Sequence, residues 1–324
     1  MKKTLIIIAV LVVAGAIGAY SLLKTTTANS EAVRIYLPEG STYPALLDTL
    51  RADGIGASTA LRLMAKGMKL DERVREGSYV VPPHTSNIAL VRKLRNGQQD
   101  PIRLTIGKFR LPQDLNSYLG SKLMHNDFNV TIDSFHLVLP DTYEVYWTIT
   151  PEQFMQRMER EWEAERGKWK EESGNISGCG KELSTFKEVV ILASIVEEET
   201  NYGPEKPLVA SVYLNRLAKG MALQADPTVK YAVGDFSLRR ILKQHLAVES
   251  PFNTYLHTGL PPAPICLPSK ATIHAVLNAP QSDYLYFCAS ERMDGTHNFA
   301  TTIGEHNRNA ARFHAALDRR GIKK

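Results

Sequence analysis

The chain has 324 residues, a mass of 36.1 kDa and a formal net charge of +5, and 44% of its residues are hydrophobic. This composition is ordinary for a globular protein, and it excludes a collagen-like, wholly disordered or disulfide-scaffold chain. The length predicts about two domains. Because the basic residues form no dense block, the mild charge gives no reason to expect a nucleic-acid partner.

The N-terminus predicts a single membrane span. Lys2 and Lys3 precede residues 4–23, a run of twenty residues without a charge. About twenty helical residues cover a hydrocarbon core of about 30 Å. The run is longer than the apolar core of most cleaved signal peptides, although small residues near its end leave cleavage as an alternative. The two lysines predict that residues 1–3 stay in the cytoplasm, so everything after a polar linker at 24–32 is expected outside it.

Residues 33–100 contain a near-repeat with an offset of 44 residues, in which Ile35 corresponds to Tyr79 and Leu46 to Leu90. Each copy has a short β-rich run, a proline, a Ser or Thr that can cap a helix, and an amphipathic helix. A further capped helix lies between the copies. The pattern predicts a strand–helix–helix–strand–helix module, and two similar α/β units without a function of their own remain an alternative interpretation.

Residues 101–324 predict a larger domain of mixed secondary structure. Pro151 is expected to begin a long helix that ends near Trp169, followed by a loop at 171–180 that is rich in Gly and Ser. Further helices are expected near 185–199, 205–219, 268–278 and 304–319, with a strand at 284–289. The fold class predicted for the chain is therefore α+β: an N-terminal transmembrane helix, a small α/β module and a larger mixed α+β domain.

Cysteine and histidine patterns give little support for a disulfide framework or a metal centre. The three cysteines, Cys179, Cys266 and Cys288, leave at least one thiol unpaired within the chain, and their disulfide state is open. The nine histidines form no HExxH pattern, and neither a GxSxG elbow nor a glycine-rich phosphate loop occurs. We therefore expect no metal and no cofactor.

An apolar run at 189–196 leads directly into Glu197, Glu198 and Glu199. A helix that is apolar on every side is a buried helix, and carboxylates are rarely buried unless they are paired or functional. If such a helix delivers a carboxylate into a cleft, burial raises its pKa and lets it act as a general acid near neutral pH. The alternative is a solvated helix end with three equivalent glutamates, and the pattern alone does not choose among them.

Three later clusters combine amide, hydroxyl and aromatic side chains, which suit hydrogen bonding to and stacking on a sugar polymer. Each cluster is also compatible with a well-formed turn. The candidate binding residues are Asn215, Gln224, Asp226, Asn253, Thr254, Tyr255, His297 and Phe299.

The order of the motifs resembles the YceG-like family of endolytic murein transglycosylases (MltG type). The matching motifs are LASIVEEET at 192–200, VASVYLNRL at 209–217, GMALQADPTV at 220–229, NTY at 253–255, GLPP at 259–262, YLYF at 284–287 and HNF at 297–299. PDTY at 140–143 and the N-terminal repeat, which resembles that family's LysM-like module, extend the resemblance. The chain departs from the family pattern at GKFR, 107–110, in place of a Pro-Glu-Gly-type turn, and at GTH, 295–297, in place of Gly-Gly-His.

The resemblance implies a lyase that cleaves the β-1,4 bond between N-acetylmuramic acid and N-acetylglucosamine inside peptidoglycan glycan strands, leaving 1,6-anhydro-N-acetylmuramic acid ends. It assigns Glu197 as the single general acid and base, without a metal. It also implies a bacterial inner-membrane protein with its catalytic domain outside the cytoplasm, and peptidoglycan synthases as partners. The domains expected on this basis are a cytoplasmic stub at 1–3, an anchor at 4–23, a linker at 24–32, a LysM-like glycan-binding module at 33–100 and a catalytic domain at 101–324.

Two other functions remain compatible with the sequence. The first is a non-catalytic, membrane-anchored scaffold that binds peptidoglycan through the LysM-like module. The second is a metal-dependent hydrolase, which the histidine pattern disfavours.

Overall fold

The protein is described by a computed structural model that covers residues 2–173, 183–238 and 240–320. Within these residues six short strands form three two-stranded sheets, and α-helices make up most of the remaining regular structure. The predicted α+β class is thereby confirmed. The chain divides into two compact units. Unit 1 comprises Met1–Leu104, Gly120–Asn126 and Tyr143–Thr150, and unit 2 comprises Thr105–Leu119, Asp127–Thr142 and Pro151–Lys324.

The N-terminal run forms a helix, α1, over Lys2–Leu23. The described side chains of this helix are exposed, and Leu11 and Val12 retain 66% and 65% of their accessible surface. In the described part of the chain, however, no helix has both the length and the apolarity needed to cross a membrane. The structure thus forms a helix at the predicted position 4–23 but gives no support for its crossing a membrane.

Unit 1 contains the strand–helix–helix–strand–helix order predicted for its repeat. The elements are β1 Val33–Leu37, α2 Tyr43–Ala52, α3 Thr59–Gly67, β2 Gly77–Val81 and α4 Asn87–Asn96. Helix α3 begins where the Ser58 side chain accepts a hydrogen bond from the Leu61 amide at 3.2 Å. Helix α4 ends at Gly97, whose φ of 64° is a left-handed conformation that glycine adopts without steric cost.

The two strands of unit 1 are antiparallel, and their register places Ile35 opposite Tyr79. These two residues also correspond in the 44-residue repeat, so the copies pair about a local two-fold axis through this position. The Tyr79 ring is buried, and its hydroxyl donates to the carbonyls of Arg75 and Glu76, each at 3.1 Å. Leucines from the flanking helices complete the core of the unit: Leu46, Leu50, Leu90 and Leu94.

The remaining elements lie in unit 2 or cross the division between the two units. They are β3 Ile102–Ile106, α5 Pro112–Lys122, β4 Asp141–Val145, α6 Pro151–Ser173, α7 Phe186–Glu199, α8 Lys206–Ala218, α9 Asp226–Val233, α10 Lys243–Leu246, α11 Lys270–Leu277, β5 Tyr286–Ala289, β6 His297–Ala300 and α12 Ile303–Arg319. The division between the units passes through β3, α5 and β4. Strands β5 and β6 are antiparallel, with Phe287 opposite Phe299.

Helix α7 is the buried helix that the apolar run predicted. Thr185 and Glu188 form a capping box at its start, and every residue of 189–196 is buried. Inside the helix the Ser194 hydroxyl donates to the Ile191 carbonyl at 2.7 Å and accepts from the Ile265 amide at 3.0 Å. This one side chain therefore ties a non-helical segment of unit 2 to the middle of α7.

Two of the three cysteines lie in the described residues. Cys266 is a buried free thiol and Cys288 is a partly exposed free thiol. Cys179 lies outside the described residues, as does most of the loop predicted at 171–180.

Replacing Ser194 with alanine should lower the free energy of unfolding by about 1–3 kcal/mol, because the buried Ile265 amide loses its acceptor. Urea denaturation monitored by circular dichroism measures this change. Ser117→Ala provides a matched control, since its exposed hydroxyl donates only to the Gln113 carbonyl one turn earlier. Equal stability of the Ser194→Ala variant and the wild type would show that the hydrogen bond from the Ile265 amide to Ser194 does not stabilise the fold.

Candidate functional site

Three consecutive glutamates at the end of α7 point in different directions. Successive residues of an α-helix are rotated by about 100°, so Glu197, Glu198 and Glu199 meet different neighbours. Each is only partly exposed. Their hydrogen bonds and charges give the three carboxyl groups different protonation behaviour.

Glu197 is held as an anion. Its Oε2 accepts from the Lys206 ammonium at 2.9 Å and from the Ser269 hydroxyl at 3.0 Å, and Thr272 also donates to it. Burial acts to raise the pKa of Glu197, but the hydrogen bonds from Thr272 and Lys206 and the charge of Lys206 outweigh it, so the pKa is lowered. These contacts disagree with the expectation of a protonated acid at this position.

Glu198 is also held as an anion, by the segment that departs from the family pattern. The Arg110 guanidinium donates to both carboxylate oxygens, with Nη2 at 2.9 Å from Oε2, and Lys108 Nζ lies 3.0 Å from Oε1. Burial acts to raise the pKa of Glu198, but the hydrogen bonds from Arg110 and Lys108 lower it overall. The GKFR segment therefore contacts the glutamate cluster directly, which the sequence did not indicate.

Glu199 has a neutral hydrogen-bond donor in place of a cation. The buried Tyr213 hydroxyl, from α8, donates to Glu199 Oε1 at 2.6 Å. Burial, reinforced by the negative charge of Asp226 and opposed by the Tyr213 hydrogen bond, raises the pKa of Glu199 to about 7. Glu199 is therefore the one member of the cluster that can hold a proton near neutral pH.

Glu199 opens into a cavity of about 260 Å³. Its polar lining comprises Glu199, Tyr213, Arg216, Gln224, Asp226 and Tyr255, and Leu223, Phe287 and His306 complete the wall. The Tyr255 hydroxyl donates to Asp226 Oδ1 at 2.7 Å, so a second carboxylate is held near Glu199. Burial and the hydrogen bond to Asp226 hold the pKa of Tyr255 above its ordinary value.

Arg216 lines this cavity and hydrogen-bonds to the backbone of two other segments. It is buried, its Nε donates to the Leu285 carbonyl at 2.7 Å, and its Nη1 donates to the Leu223 carbonyl at 2.8 Å. The neighbouring Gln224 has a φ of 52°, which non-glycine residues rarely adopt, and its amide donates to the Thr254 carbonyl at 3.0 Å. Hydrogen bonds to the Leu223 carbonyl and from the Gln224 amide thus stabilise this turn. The Gln224 side chain is exposed and lines the cavity.

Three of the predicted binding residues therefore lie together with Glu199: Gln224, Asp226 and Tyr255. Two others hold the turns that carry them. Asn253 is buried, and its amide donates to the carbonyls of Leu246 and Val248 at 3.0 and 2.9 Å. Thr254 is buried, and its hydroxyl accepts from the Ala225 amide at 3.0 Å.

The remaining predicted residues lie outside the lining of this cavity. Asn215 donates to the carbonyls of Ser282 and Tyr284 at 2.8 and 2.9 Å. His297 Nδ1 lies 2.8 Å from Glu205 Oε2, and its backbone amide donates to the same carboxylate at 3.0 Å. The Phe299 ring contacts Tyr284 at a centroid distance of 5.5 Å. In this structure all three residues have packing or hydrogen-bonding roles.

Three residues that line the cavity were not among those predicted for the site: Tyr213, Arg216 and His306. Tyr213 had a detectable signal, because a tyrosine on the apolar face of a buried helix needs an acceptor for its hydroxyl. His306 lines the cavity, and burial together with the charge of Arg216 lowers its pKa. Residues 2–173, 183–238 and 240–320 contain no group of three or more His, Cys, Asp or Glu residues arranged to hold a metal ion.

Comparison with known proteins identifies relatives for this chain. The model of the YceG-like family matches residues 35–312. A segment of 128 residues is 40% identical to an endolytic murein transglycosylase of Bacillus subtilis, and 131 residues are 34% identical to one of Streptococcus pneumoniae. These segments cover 40% and 39% of this chain but only 35% and 24% of the two relatives.

A crystal structure of a YceG-like protein from Listeria monocytogenes has a similar fold. It superposes with a TM-score of 0.50 at 25% sequence identity, covering 86% of this chain and 99% of that protein. The similarity therefore includes both compact units, whereas the transglycosylase segments cover a smaller part.

The raised pKa of Glu199 predicts a specific pH dependence of stability. Its folded pKa of about 7 lies above the ordinary value of 4.5, so ionisation disfavours the folded state. The wild type should lose up to about 3 kcal/mol of unfolding free energy as the pH rises from 4.5 to 8. Glu199→Gln should lack this loss and should be more stable than the wild type at pH 8.

Urea denaturation at pH 5 and pH 8 measures the difference. Glu197→Gln serves as the control with the opposite sign, because a lowered pKa stabilises the folded protein at neutral pH and the variant leaves Lys206 without its carboxylate partner. If the free energies of unfolding of Glu199→Gln and the wild type change equally between pH 5 and pH 8, Glu199 does not have a raised pKa.

Proposed function

This chain belongs to the YceG-like family, and we propose that it is an endolytic transglycosylase that cleaves the glycan strands of peptidoglycan. The observation that carries the proposal is Glu199, a carboxyl group with a pKa of about 7 at the wall of a polar cavity. The relatives named as endolytic murein transglycosylases support the same substrate class.

The proposed reaction needs a single carboxyl group that changes its protonation state. Most glycosidases use two carboxylates, because one protonates the leaving oxygen and the other attacks the sugar or activates water. Here the C6 hydroxyl of the muramyl residue is the nucleophile. Glu199 protonates the glycosidic oxygen between muramic acid and glucosamine, and its carboxylate then accepts the proton of the C6 hydroxyl. The product is a 1,6-anhydro end.

The neighbours of Glu199 support this cycle. Tyr213 donates to Oε1, so Oε2 is the oxygen that carries the transferred proton. The Tyr213 hydrogen bond also stabilises the carboxylate after the first transfer. Asp226, held by Tyr255, supplies negative charge on the same cavity, which would favour the positive charge that develops on the sugar ring.

Glu197 and Glu198 are proposed as positioning residues. Each forms an ion pair with a cation of another element, Lys206 for Glu197 and Arg110 for Glu198. A charged carboxylate cannot protonate a leaving oxygen, but the two ion pairs restrain the last turn of α7 and hence the direction of Glu199. The proposal thus moves the acid from the first glutamate of the motif, which the family resemblance implied, to the third.

The substrate has consequences for location and partners. Peptidoglycan lies outside the cytoplasmic membrane, so the region around Glu199 is proposed to act outside the cytoplasm. Binding of glycan by the 33–100 module and contact with peptidoglycan synthases are finer parts of the same proposal. The acid with a raised pKa favours an enzyme over a non-catalytic scaffold, because a scaffold has no use for a protonated carboxyl group in a cavity.

Glu199→Gln should reduce the formation of anhydro-ended fragments from purified sacculi by about 10²- to 10⁴-fold, since the amide keeps the shape but cannot transfer the proton. Mass spectrometry of the released products measures this loss. Wild-type activity should also fall as the pH rises above about 7, where Glu199 becomes ionised.

Glu197→Gln and Glu198→Gln are the matched controls at adjacent positions. Both should retain more activity than Glu199→Gln and should keep the fall of activity near pH 7, because the proton donor is still present. Full activity of Glu199→Gln with loss in Glu197→Gln would return the acid to the first glutamate. Binding of sacculi without anhydro products from the wild type would favour the scaffold.

A further inference from the structure

A second concave surface lies in unit 1. It is a groove of about 510 Å³, lined by Lys69, Glu72, Arg73, Arg75, Arg95 and Asn96. We call these six residues the basic groove. Four cations face one carboxylate, although the chain as a whole carries a net charge of only +5. Positive charge is therefore concentrated in this groove.

Arg75 is held in place within the groove. Its Nε donates to the Arg95 carbonyl at 3.1 Å, and its side chain packs over Gly97 so closely that a Cβ at Gly97 would lie 2.6 Å from Arg75 Cδ. In the described residues no protein acceptor lies within hydrogen-bonding distance of its terminal nitrogens. The guanidinium is thus oriented in advance for a ligand, which reduces the entropy lost on binding.

Lys69 occupies a backbone conformation that a lysine does not favour. Its φ is 57°, in the left-handed region where glycine or asparagine has the lower energy by about 1 kcal/mol. Its ion pair with Glu72, at 3.5 Å, joins two exposed side chains and contributes little stability. The local fold therefore does not explain why a lysine occupies this position. A negatively charged ligand in the groove explains it.

We propose that the basic groove binds the carboxylates of the peptide branches that peptidoglycan glycan strands carry. This inference rests on the proposed function, which makes peptidoglycan the substrate. A guanidinium pairs with a carboxylate through two parallel hydrogen bonds, and three arginines line the groove. Glu72 and the Asn96 amide add an acceptor for an amino group and a partner for a peptide bond, so the groove complements a branch that bears both charges.

A membrane surface is the competing source of negative charge. Anionic headgroups form a flat layer that is best contacted by protruding cations, and their attraction falls off within about 10 Å. The basic groove is concave, and Glu72 provides an acceptor for an amino group, which a branch peptide carries and a phosphatidylglycerol headgroup lacks. Both features favour a peptide over a lipid surface.

The test uses the full-length chain with Glu199→Gln added, so that sacculi are not digested during binding. Binding is measured by co-sedimentation with intact sacculi, and by calorimetry with the soluble glycan strands from which an amidase has removed the peptides. Arg73→Gln together with Arg95→Gln should weaken binding to intact sacculi about tenfold and should not change binding to peptide-free strands. Arg62→Gln together with Arg103→Gln removes the same charge from exposed positions outside the groove and should have no such effect.

Lys69→Asn separates binding from folding. It should weaken binding to intact sacculi while leaving the melting temperature unchanged or raised, because asparagine tolerates the left-handed conformation better than lysine. A variant that binds poorly only because it is partly unfolded would instead show a lowered melting temperature.

Equal binding of the Arg73→Gln and Arg95→Gln double variant and its parent to intact sacculi would overturn the proposal. So would a loss confined to vesicles that contain phosphatidylglycerol. A synthetic branch peptide, titrated by calorimetry, distinguishes this failure from failure of the proposed function. If the wild type forms no anhydro products yet the peptide binds with the predicted sensitivity to Arg73 and Arg95, the reaction is wrong and the groove assignment stands. If the wild type forms anhydro products but does not bind the peptide, the proposed reaction stands and the groove assignment is wrong.

Discussion

The hydrogen bond between Tyr213 and Glu199 is the interaction on which the proposed chemistry depends. It satisfies a carboxyl group at the end of a buried helix without bringing a positive charge next to it. A cation in the same place would hold Glu199 ionised, as Lys206 does for Glu197 and Arg110 does for Glu198. The chemical difference among three identical side chains therefore comes from the neighbouring elements and not from the helix that bears them.

This dependence explains how much of the site was predictable. The apolar run at 189–196 could only be buried, so the sequence correctly predicted a buried helix that ends in a carboxylate cluster. Which of the three glutamates has a raised pKa could not be predicted, because their hydrogen bonds with Tyr213, Lys206 and Arg110 set the difference. These residues come from other parts of the chain, and only the folded structure shows which glutamate each one contacts. The same limitation applied to the predicted binding residues, because the sequence did not show which of them face the cavity.

Asn253 and Tyr255 illustrate that limitation. They lie two residues apart in one motif, and both could contact a sugar. Asn253 uses its amide to hold the backbone of its own turn, while Tyr255 reaches the cavity and binds Asp226. Polar composition predicts that such a turn forms, but it does not separate the residues that build the turn from those that it presents. The strands and helices of unit 1 were more predictable, because a repeated pattern of apolar residues and caps specifies local structure directly.

The pairing of Ile35 with Tyr79 has a consequence for the symmetry of unit 1. An antiparallel pair in which corresponding residues face each other is the arrangement that two identical peptides form about a two-fold axis, the isologous contact of a symmetric dimer. The two copies differ at this position, because the first carries an isoleucine and the second a buried tyrosine that donates its own hydrogen bonds. Unit 1 thus contains, within one chain, the strand pairing of a symmetric dimer, with the additional helix α3 between its two copies.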